Sequence, residues 1–593
     1  MKQFTLALVF LFSTQLLMAQ VESRYELSFE NAQLHQAEIN ATFSNLTDEN
    51  VELRMSRTSP GRYALHEFVK NVFNLKATDQ NGKELALERK DPYSWNVTGH
   101  SGTINISYTL FANHGDGTYA QIDETHAHLN APPTFIYAPS LSTKGFEVTF
   151  NLREDLEWKV ATQLKHLSGT TYFARDLHYL MDSPMEISNH EMRSHEIDGQ
   201  TIRFALHHNG TSAEFDTYFK NSIKIVQQQK AVFGELPKFD YGEYTFLGCY
   251  LPHVDGDGME HRNSTVLTST RSLKKAANRN IGTVSHEFFH AWNVERIRPK
   301  SLEPFNYEAA NMSGELWFAE GFTNYYTGLI IHRAGLTTMP QYIKSMQGTF
   351  NYVWNSPGRK FSGPIEMSNQ AVFVDAAEAV DQTYFNNTFI SYYSYGQMLG
   401  LALDLTLRVE GLNLDDYMKL VWNKFGKNEI PYTNKNLEEV LVSYAGKEIG
   451  ASFFNNYIFG KKRPDLELLF TKMGVSVVTD TSKIEFGTRI KEQIIQSYPK
   501  IGSTAYNAGL TKGDKIIRID SIAITAESNL NSILSNLQPN KVATIIFERH
   551  GKKNETKVKL VANNNSSLHL FEDLNKPVNE SIKYNRDSWL QAK

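Results

Sequence analysis

Hydrophobic and polar residues alternate with a period of two through the first third of the chain. The clearest runs lie between about Tyr25 and His208 and are separated by turn residues: YELSFE, AEINATF, TINISYTLF, FEVTFNL and TIRFALHH. This alternation is typical of strands that bury one face. We therefore predict an all-β, sandwich-like domain over residues 20–211.

The spacing of apolar residues changes to a helical period near Ser212. The longest helical patterns are SAEFDTYFKNSIKIVQQQKAVFG, LWFAEGFTNYYTGLIIHRAG and YGQMLGLALDLTLRVEG. They predict a mainly α domain over residues 212–474, with a small sheet near its start. Strand patterns return over residues 475–562 and predict a β-rich module, followed by a loosely packed tail at 563–593. The predicted fold class is multidomain α+β, because a chain of 593 residues is too long for one hydrophobic core.

Composition and charge narrow the function classes. A net charge of -5 provides no basic field for phosphate backbones, so we expect no nucleic acid partner. The chain has a single cysteine, Cys249, which excludes an intramolecular disulfide framework. Any metal site must therefore use histidines and carboxylates.

The first 19 residues, MKQFTLALVFLFSTQLLMA, have the pattern of a secretory signal peptide. A lysine precedes an apolar stretch without acidic residues, and Ala19 before Gln20 is a plausible cleavage point. A membrane anchor is the alternative, but the apolar run is short for a bilayer and Ser13, Thr14 and Gln15 interrupt it. We expect export to a periplasm or out of the cell. No later segment is long and apolar enough to predict a membrane span once the signal is removed.

The segment VSHEFFHAWN carries the strongest chemical signal. His286 and His290 are four residues apart, so a helix presents both imidazoles on one face to one metal ion. Glu287 lies about 100° further round the helix, where it can reach a water molecule at the metal. The alternative is an ordinary buried helix, because an HExxH pattern also arises by chance in chains of this size.

A catalytic zinc site needs a third protein ligand. The HxxGxxH extension is absent, because AWNVER follows His290. Downstream, Glu320 stands in the apolar helical segment LWFAEGFTNYY, where a lone carboxylate is costly unless it is paired or bound to metal. We predict one Zn²⁺ ion held by His286, His290 and Glu320, and prefer Glu320 to Glu315 on this burial argument. Asn293 and Asn324 are candidates for supporting contacts, with loop or cap roles as the alternative.

The segments HEFFHAWNVERIRPKSLEPFNYE and ELWFAEGFTNYY resemble the M61 family of metallopeptidases, the glycyl aminopeptidase group. The resemblance extends over nearly the whole chain. It implies a β-rich N-terminal domain, a thermolysin-like catalytic domain and a C-terminal PDZ domain. It also implies an aminopeptidase that removes small first residues such as Gly or Ala from peptides with a free N-terminus.

Upstream of the zinc motif, HVDGDGMEHRNST resembles the segment that lines the substrate cleft in the related M1 enzymes. The residues that match are Gly258, Met259 and Glu260. A carboxylate fixed beside the scissile bond can pair with the α-amino group of a substrate. We predict this role for Glu260, and a solvated turn is the alternative, because the Asp and Gly residues before it are turn formers.

Downstream, FISYYSYGQMLGLALDLTLR begins with closely spaced tyrosines and continues as an apolar helix. In the related families a tyrosine at such a helix start donates a hydrogen bond to the developing oxyanion. Tyr393 matches that position. Tyr395 stands where those families usually have lysine, which leaves Tyr392 as a second candidate and aromatic core packing as a third interpretation.

GSTAYNAGLTKGDKIIRID resembles the corresponding segment of bacterial PDZ domains. PDZ domains bind a peptide strand and its terminal carboxylate, so a peptide C-terminus is a possible partner. FGTRI, residues 486–490, is the candidate carboxylate loop, although it differs from the usual GLGF. A packing or substrate-guiding role is the alternative.

The functional prediction is a zinc-dependent aminopeptidase with Glu287 as general base and Tyr393 as oxyanion donor. Two alternatives stay open. One is a non-catalytic PDZ peptide-binding protein on a peptidase scaffold, and the other is an endopeptidase with the same zinc site.

Overall fold

The structure is a computed structural model that describes residues 21–593 of the chain, with the backbone alone described at Asn531. The predicted signal peptide lies outside the described residues. The chain forms two compact units. Unit 1 comprises the described residues up to Ser56, Glu67–Gly115 and Tyr119–Asn189; unit 2 comprises Arg57–His66, Asp116–Thr118 and His190–Lys593.

Unit 1, in its described residues, is built mainly from strands, as the alternating pattern predicts, with one short α-helix and a few 3-10 turns. In the first strand Tyr25 and Leu27 are buried, whereas Arg24 and Glu26 between them are exposed. The elements are β1 (Val21–Ser28), β2 (Gln36–Phe43), β3 (Asn50–Met55), β4 (Val72–Thr78), β5 (Ala86–Asp91), β6 (Ser94–Thr98), β7 (Ile104–Phe111), β8 (Gln121–Ile122), β9 (His126–Leu129), β10 (Ile136–Tyr137), β11 (Gly145–Asn151), β12 (Lys159–Thr162), β13 (Lys165–Ser168), β14 (Thr171–Ala174), α1 (Leu177–Met181) and β15 (Met185–Ser188).

The strands of unit 1 form three sheets in the described part of the chain. Their strand orders are β13-β14-β11-β1-β2-β7-β4, β10-β3-β6-β5 and β12-β15-β9-β8. Strand β1 pairs in parallel with β11 and antiparallel with β2, so the N-terminal strand lies inside its sheet.

The first strands of the main part of unit 2 form one mixed sheet, although the sequence pattern assigns the first two of them to the preceding domain. The elements of this sheet are β16 (Glu191–Ile197), β17 (Gln200–His208), β18 (Glu243–Tyr250), β19 (Asp257–His261) and β20 (Ser264–Thr268), in the order β16-β17-β18-β20-β19. The boundary predicted at residue 211 therefore lies at 189 in the structure. The reason is long-range pairing, because β17 pairs in parallel with β18, which follows it only after a helix. Period-two alternation identifies β17 as a strand but does not show which strand it pairs with.

Helices form most of unit 2 between residues 212 and 472. They are α2 (Ser212–Phe233), α3 (Leu273–Phe289), α4 (Leu316–Ala319), α5 (Gly321–Arg333), α6 (Met339–Asn355), α7 (Pro364–Asn369), α8 (Ala371–Val374), α9 (Phe385–Thr388), α10 (Tyr392–Val409), α11 (Leu414–Lys424), α12 (Asn434–Phe453) and α13 (Leu466–Lys472). Helices α5 and α10 cross at two glycines. A Cβ on Gly396 would lie 2.6 Å from the Cα of Gly321 and 1.9 Å from the carbonyl oxygen of Trp317, so the two backbones touch.

The C-terminal part of unit 2 contains short strands and helices, of which those between residues 486 and 560 surround a separate core. They are β21 (Val475–Thr479), β22 (Ile490–Lys491), β23 (Ile494–Ile495), α14 (Thr504–Asn507), β24 (Lys515–Ile519), β25 (Ile522–Ala523), α15 (Leu530–Leu534), β26 (Val542–Arg549), β27 (Lys552–Lys559), β28 (Ser566–Leu570) and α16 (Glu580–Leu590). The core includes Ala505, Ala508, Leu510, Ile516 and Ile519. Among residues 21–593, no helix combines the length and the apolar character needed to cross a membrane.

The predicted loosely packed tail is wrong for residues 566–590. Strand β28 pairs antiparallel with β21, and α16 places Trp589 in the main core, where it is fully buried. The Trp589 indole N–H donates to the hydroxyl of Tyr325 at 3.0 Å. The tail is short of apolar residues, but one large aromatic side chain buries enough surface to dock the helix.

Candidate active site

Helix α3 carries the zinc motif and packs its opposite side into the core. Val284 and Phe288 are fully buried. His290 follows the last residue of α3 and keeps helical backbone angles, so it lies one turn beyond His286. The two imidazole rings have centroids 4.8 Å apart. One helix thus serves both the core and the candidate site.

Glu320 lies at the junction of α4 and α5, directly opposite the two histidines. Its Oε2 atom is 3.5 Å from Nε2 of His286 and 3.2 Å from Nε2 of His290. A tetrahedral ion with bonds of about 2.1 Å separates its ligand atoms by about 3.4 Å. The three donor atoms therefore have the spacing of a zinc site. Glu315 instead accepts hydrogen bonds from Ser301, Ser313 and Asn434.

Hydrogen bonds orient each of these three side chains. Nδ1 of His286 is hydrogen-bonded to Oγ1 of Thr327 at 3.2 Å, and Nδ1 of His290 donates to the carbonyl oxygen of Asn293. Both contacts leave Nε2 free to face the metal position. The hydroxyl of Tyr63 donates to Oε1 of Glu320 at 2.9 Å, which leaves Oε2 toward the histidines. Such supporting contacts fix ligand orientation in zinc enzymes.

The amide of Asn293 connects the two halves of the site. Its Nδ2 group donates to the carbonyl oxygens of Phe318 and Ala319, each at 3.1 Å. The same residue accepts the His290 bond through its backbone, so it holds the histidine and the turn before Glu320 together. Asn324 contacts none of the three predicted ligands through its amide, which donates to Gln397 at 2.9 Å, but it lines the cavity beside His286.

Two further carboxylates converge beside His290. Ligand atoms of Glu260, Glu287 and His290 all lie within 4.8 Å of one another, and all three residues are buried. Burial, with Glu260 and Glu320 nearby, raises the pKa of Glu287 well above its ordinary value. Burial likewise raises the pKa of Glu260. The predicted turn interpretation does not describe Glu260, since it lies in β19.

Gly258 is also in β19, next to Glu287. A Cβ at Gly258 would lie 2.2 Å from Oε1 of Glu287 and 2.5 Å from the methyl group of Thr283. Met259, which points to the other side of the strand, is fully buried. The strand thus passes so close to helix α3 that any larger residue at position 258 would displace the side chains of Glu287 and Thr283.

Tyr393 lies at the start of α10, beside the first histidine. Its ring centroid is 6.0 Å from that of His286, and the side chain is half-buried. Burial, followed by the charge of Glu320, raises the pKa of Tyr393 well above its ordinary value, which keeps its hydroxyl a proton donor. Tyr392 is buried in a cluster with Tyr63, their rings 6.4 Å apart. Tyr395, two residues further along α10, is also buried.

The segment Arg57–His66 contributes residues that the sequence patterns did not single out. Besides Tyr63, it provides Arg62, whose guanidinium pairs with Asp257 and lies 3.8 Å from Asp375. Burial raises the pKa of Asp375 to about 6. In the sequence the segment has the pattern of a turn inside the predicted β domain, so no periodicity or motif connects it with these partners, which lie at least 195 residues further along the chain.

A cavity of about 440 Å³ opens beside His286 and Glu287. It is bounded by the zinc helix on one side and by Gly256 and Gly258 on the other. A substrate group adjacent to the metal position can occupy it.

Comparison with protein families assigns these domains. Residues 24–189 match the Peptidase M61 N-terminal domain, residues 279–399 the M61 glycyl aminopeptidase domain and residues 471–560 a PDZ domain. The chain is a metallopeptidase with M61-type domains. The M61 match contains the zinc motif, Glu320 and Tyr393. The resemblance to this family and the multidomain α+β fold are confirmed.

A solved structure has the fold of this metallopeptidase along nearly its whole length. It is an aminopeptidase N family protein from Idiomarina loihiensis, with 24% identity, a TM-score of 0.83, and coverage of 96% of this chain and 100% of that one. An M1 zinc metallopeptidase from Deinococcus radiodurans is 14% identical, with a TM-score of 0.45 over 76% of this chain and 95% of that chain. None of the curated proteins is significantly similar to the chain.

Proposed function

We propose that the protein is a zinc-dependent aminopeptidase that removes small first residues, Gly or Ala, from peptides with a free N-terminus. The observation that carries the proposal is the convergence of two groups at His290. On one side are His286 and Glu320, with the spacing of metal ligands. On the other side are the buried carboxylates of Glu260 and Glu287.

One zinc ion would be held by His286, His290 and Glu320. When bound there, zinc polarises a carbonyl group and lowers the pKa of water. Burial lowers the pKa of His286, which favours the neutral imidazole that binds metals. The chemistry of the donor set, two imidazoles and one carboxylate, is that of a catalytic zinc site with an open position.

Glu287 is the general base in this proposal. Its carboxylate lies within 4.8 Å of the His290 ligand atom but is separate from the predicted ligand set. It can take a proton from the attacking water and deliver it to the leaving amine. A raised pKa suits this task, because the protonated form is then accessible for the second transfer.

Glu260 and Tyr393 hold the two ends of the reacting residue. The Glu260 carboxylate pairs with the substrate α-amino group, which restricts cleavage to the first peptide bond. The Tyr393 hydroxyl donates a hydrogen bond to the carbonyl oxygen as negative charge develops on it. The Tyr393 ring lies 6.0 Å from the ring of His286, a proposed metal ligand, and this proximity supports the role.

The surroundings of Glu260 favour a small first side chain. Gly61 adopts a left-handed conformation, and a Cβ there would lie 3.1 Å from Oε2 of Glu260 and 2.1 Å from the sulfur of Met259. The backbone of this segment therefore fills space beside the proposed amine site. Tyr63 is also buried there against Glu320.

Paired short peptides that start with Gly or Ala test this proposal. One member has a free N-terminus and the other is N-acetylated, and both are incubated with zinc-loaded protein. We expect cleavage of the free peptide alone, with Glu287→Gln lowering kcat at least about 100-fold. Glu439→Gln, an exposed residue of α12, is the matched control. Equal cleavage of both peptides would indicate an endopeptidase, and no cleavage with zinc bound would favour the non-catalytic binding protein.

The first-residue preference has its own comparison. Amides of Gly and Ala should be hydrolysed faster than those of Leu and Phe by the same preparation. A larger kcat/KM for Leu or Phe would contradict the preference for small residues and leave the aminopeptidase activity standing.

We further propose that the PDZ domain binds a peptide C-terminus. A cavity of about 470 Å³ lies between the loop at Phe486–Thr488 and helix α15. In the described part of the chain, the backbone N–H groups of Phe486, Gly487 and Thr488 donate to no other backbone group. A carboxylate can accept from such N–H groups.

An array of peptides with varied C-terminal sequences, each beside its amidated copy, tests PDZ binding to the full chain. We expect some peptides to bind, and amidation to abolish that binding. Absence of binding to every peptide with a free carboxylate would favour a packing role for the domain. The domain already contacts Asn387, whose amide donates to the carbonyl oxygen of Pro499 and accepts from the N–H of Ile501.

Export to a periplasm or out of the cell is also proposed, on the pattern of residues 1–19. Secretion followed by N-terminal sequencing should find a mature chain that begins at Gln20. A chain retained with Met1 intact would contradict it.

A further inference from the structure

The cavity beside the zinc centre has a chemistry that the reaction described above does not use. Arg271 and Arg279 line it together with His286 and Glu287. Arg279 is two turns before His286 on α3, a rise of about 10 Å. Arg279 is therefore separated from the proposed metal position along the helix axis, and both arginines line the same cleft.

Both arginines are exposed, and among the described residues neither guanidinium is held in an ion pair. The acidic residues that line the cavity are Asp257 and Glu287. Asp257 is already engaged, because Arg62 pairs with it and the N–H of Gly117 donates to it at 3.0 Å. With Asp257 engaged, the guanidinium groups of Arg271 and Arg279 share the cavity with one remaining carboxylate, that of Glu287. The lining therefore has an excess of positive charge, although the chain as a whole carries a net charge of -5.

Strand β19 indicates the direction in which a bound peptide runs through the cleft. Gly256, just before the strand, lines the cavity; Gly258 lies against Glu287; and Glu260 is two residues further, about 7 Å along the strand. A peptide whose amino group is on Glu260 and whose first carbonyl is at the metal position must continue toward the cavity. Its second residue, on the leaving side of the scissile bond, therefore faces the arginines.

We propose that Arg271 and Arg279 select substrates with a carboxylate on the second residue. This inference rests on the proposed aminopeptidase function, because it needs the amino group to be held at Glu260. The carboxylate can belong to an Asp or Glu side chain, or to the C-terminus of a dipeptide. Guanidinium groups bind carboxylates through two parallel N–H···O bonds, and an exposed, unpaired arginine is available to do so.

Three substrates separate these sources. Gly-Gln amide carries no carboxylate, Gly-Glu amide adds one on the second side chain, and Gly-Gln with a free C-terminus adds one on the backbone. For the zinc-loaded full chain, we expect kcat/KM to be about tenfold higher for at least one carboxylate substrate than for Gly-Gln amide. The advantage should shrink as ionic strength rises, because salt screens exposed charges.

The double variant Arg271→Gln, Arg279→Gln should bring the ratio of kcat/KM values close to one. Lys275→Gln is the matched control, since Lys275 is an exposed cation on the same helix that does not line the cavity. It should keep the wild-type ratio. A shift of the same size with Lys275→Gln would attribute the preference to the overall charge of α3 and overturn the assignment to the cavity.

Failure of this inference differs from failure of the proposed function. A wild-type ratio of one, with Gly-Gln amide still cleaved at its first bond, would overturn carboxylate selection and leave the aminopeptidase intact. No cleavage of any of the three substrates by zinc-loaded protein would overturn the aminopeptidase proposal itself, and with it the basis of the selection.

Discussion

The hydroxyl of Tyr63 donates a hydrogen bond to Oε1 of Glu320 at 2.9 Å, although the two residues are 257 positions apart in the chain. Both side chains are buried. The contact leaves the other carboxylate oxygen, Oε2, facing His286 and His290. Tyr63 thus orients the proposed third zinc ligand.

Replacing Tyr63 with Phe should weaken zinc binding about tenfold or more, because supporting contacts of this kind typically contribute 10–100-fold to metal affinity. Competition with a chelator measures the effect. Tyr417→Phe is the control, since Tyr417 is a buried donor to the carbonyl of Leu437. Equal zinc affinity in wild type and Tyr63→Phe would show that the bond does not orient Glu320.

Glu320→Ala should abolish stoichiometric zinc binding, whereas Glu315→Ala should retain it. The difference follows from position, because Glu320 faces both histidines, while Glu315 accepts hydrogen bonds from the side chains of Ser301 and Asn434. Metal content after dialysis, measured by atomic emission, distinguishes the two variants. Loss of zinc from the Glu315 variant alone would reverse the ligand assignment.

Gly258→Ala should lower kcat about 100-fold and leave zinc content at the wild-type level. The added methyl group would push the Glu287 carboxylate aside, and a displacement of about 1 Å in a reacting group can cost this much. Steady-state kinetics together with metal analysis checks both parts. Full activity would mean that Glu287 tolerates the shift and is not the base in its present position.

Gly396→Ala should destabilise the protein by about 1–3 kcal/mol, because its Cβ would overlap backbone atoms of Trp317 and Gly321. Gly348→Ala, in an exposed part of α6 with open space around it, should instead stabilise the protein by about 0.5–1 kcal/mol. Denaturant unfolding of the two variants gives both signs. A neutral Gly396→Ala would contradict the close crossing of α5 and α10.

Asp415 predicts a defined pH dependence of stability. Burial alone would raise its pKa, but Arg333 and Arg408 lie 3.1 and 3.5 Å from its Oδ2 and hold the pKa of Asp415 well below its ordinary value. A depressed carboxyl pKa contributes stability fully above the unfolded value of about 4 and loses it as the pH falls below that.

Asp415→Asn should therefore lower the free energy of unfolding at pH 7 by about 3–5 kcal/mol, because buried Arg333 loses its carboxylate partner and Arg408 keeps only Asp404. The difference between variant and wild type should be constant from pH 7 down to about 5 and narrow only below about 4. Denaturant unfolding across that range measures it. A difference that grows as the pH falls would contradict the assigned direction of the pKa shift.

The sequence by itself predicted the parts of this protein that depend on nearby residues. The period-two runs predicted the β-rich first unit, the helical period predicted α2, α5 and α10, and a spacing of four placed His286 and His290 on one helix face. Glu320 was accessible to the same reasoning, because a carboxylate in an apolar helical segment signals a partner. These features are local, so one stretch of chain contains their signal.

The tertiary structure alone decided features that depend on pairs distant in sequence. It moved the domain boundary to residue 189 through the pairing of β17 with β18, and it docked the predicted tail through Trp589. It also brought Tyr63 to Glu320 and placed Arg271 and Arg279 in the cleft of the zinc helix. Such contacts leave no periodic trace, because long-range packing, and not the conformation of neighbouring residues, brings the partners together.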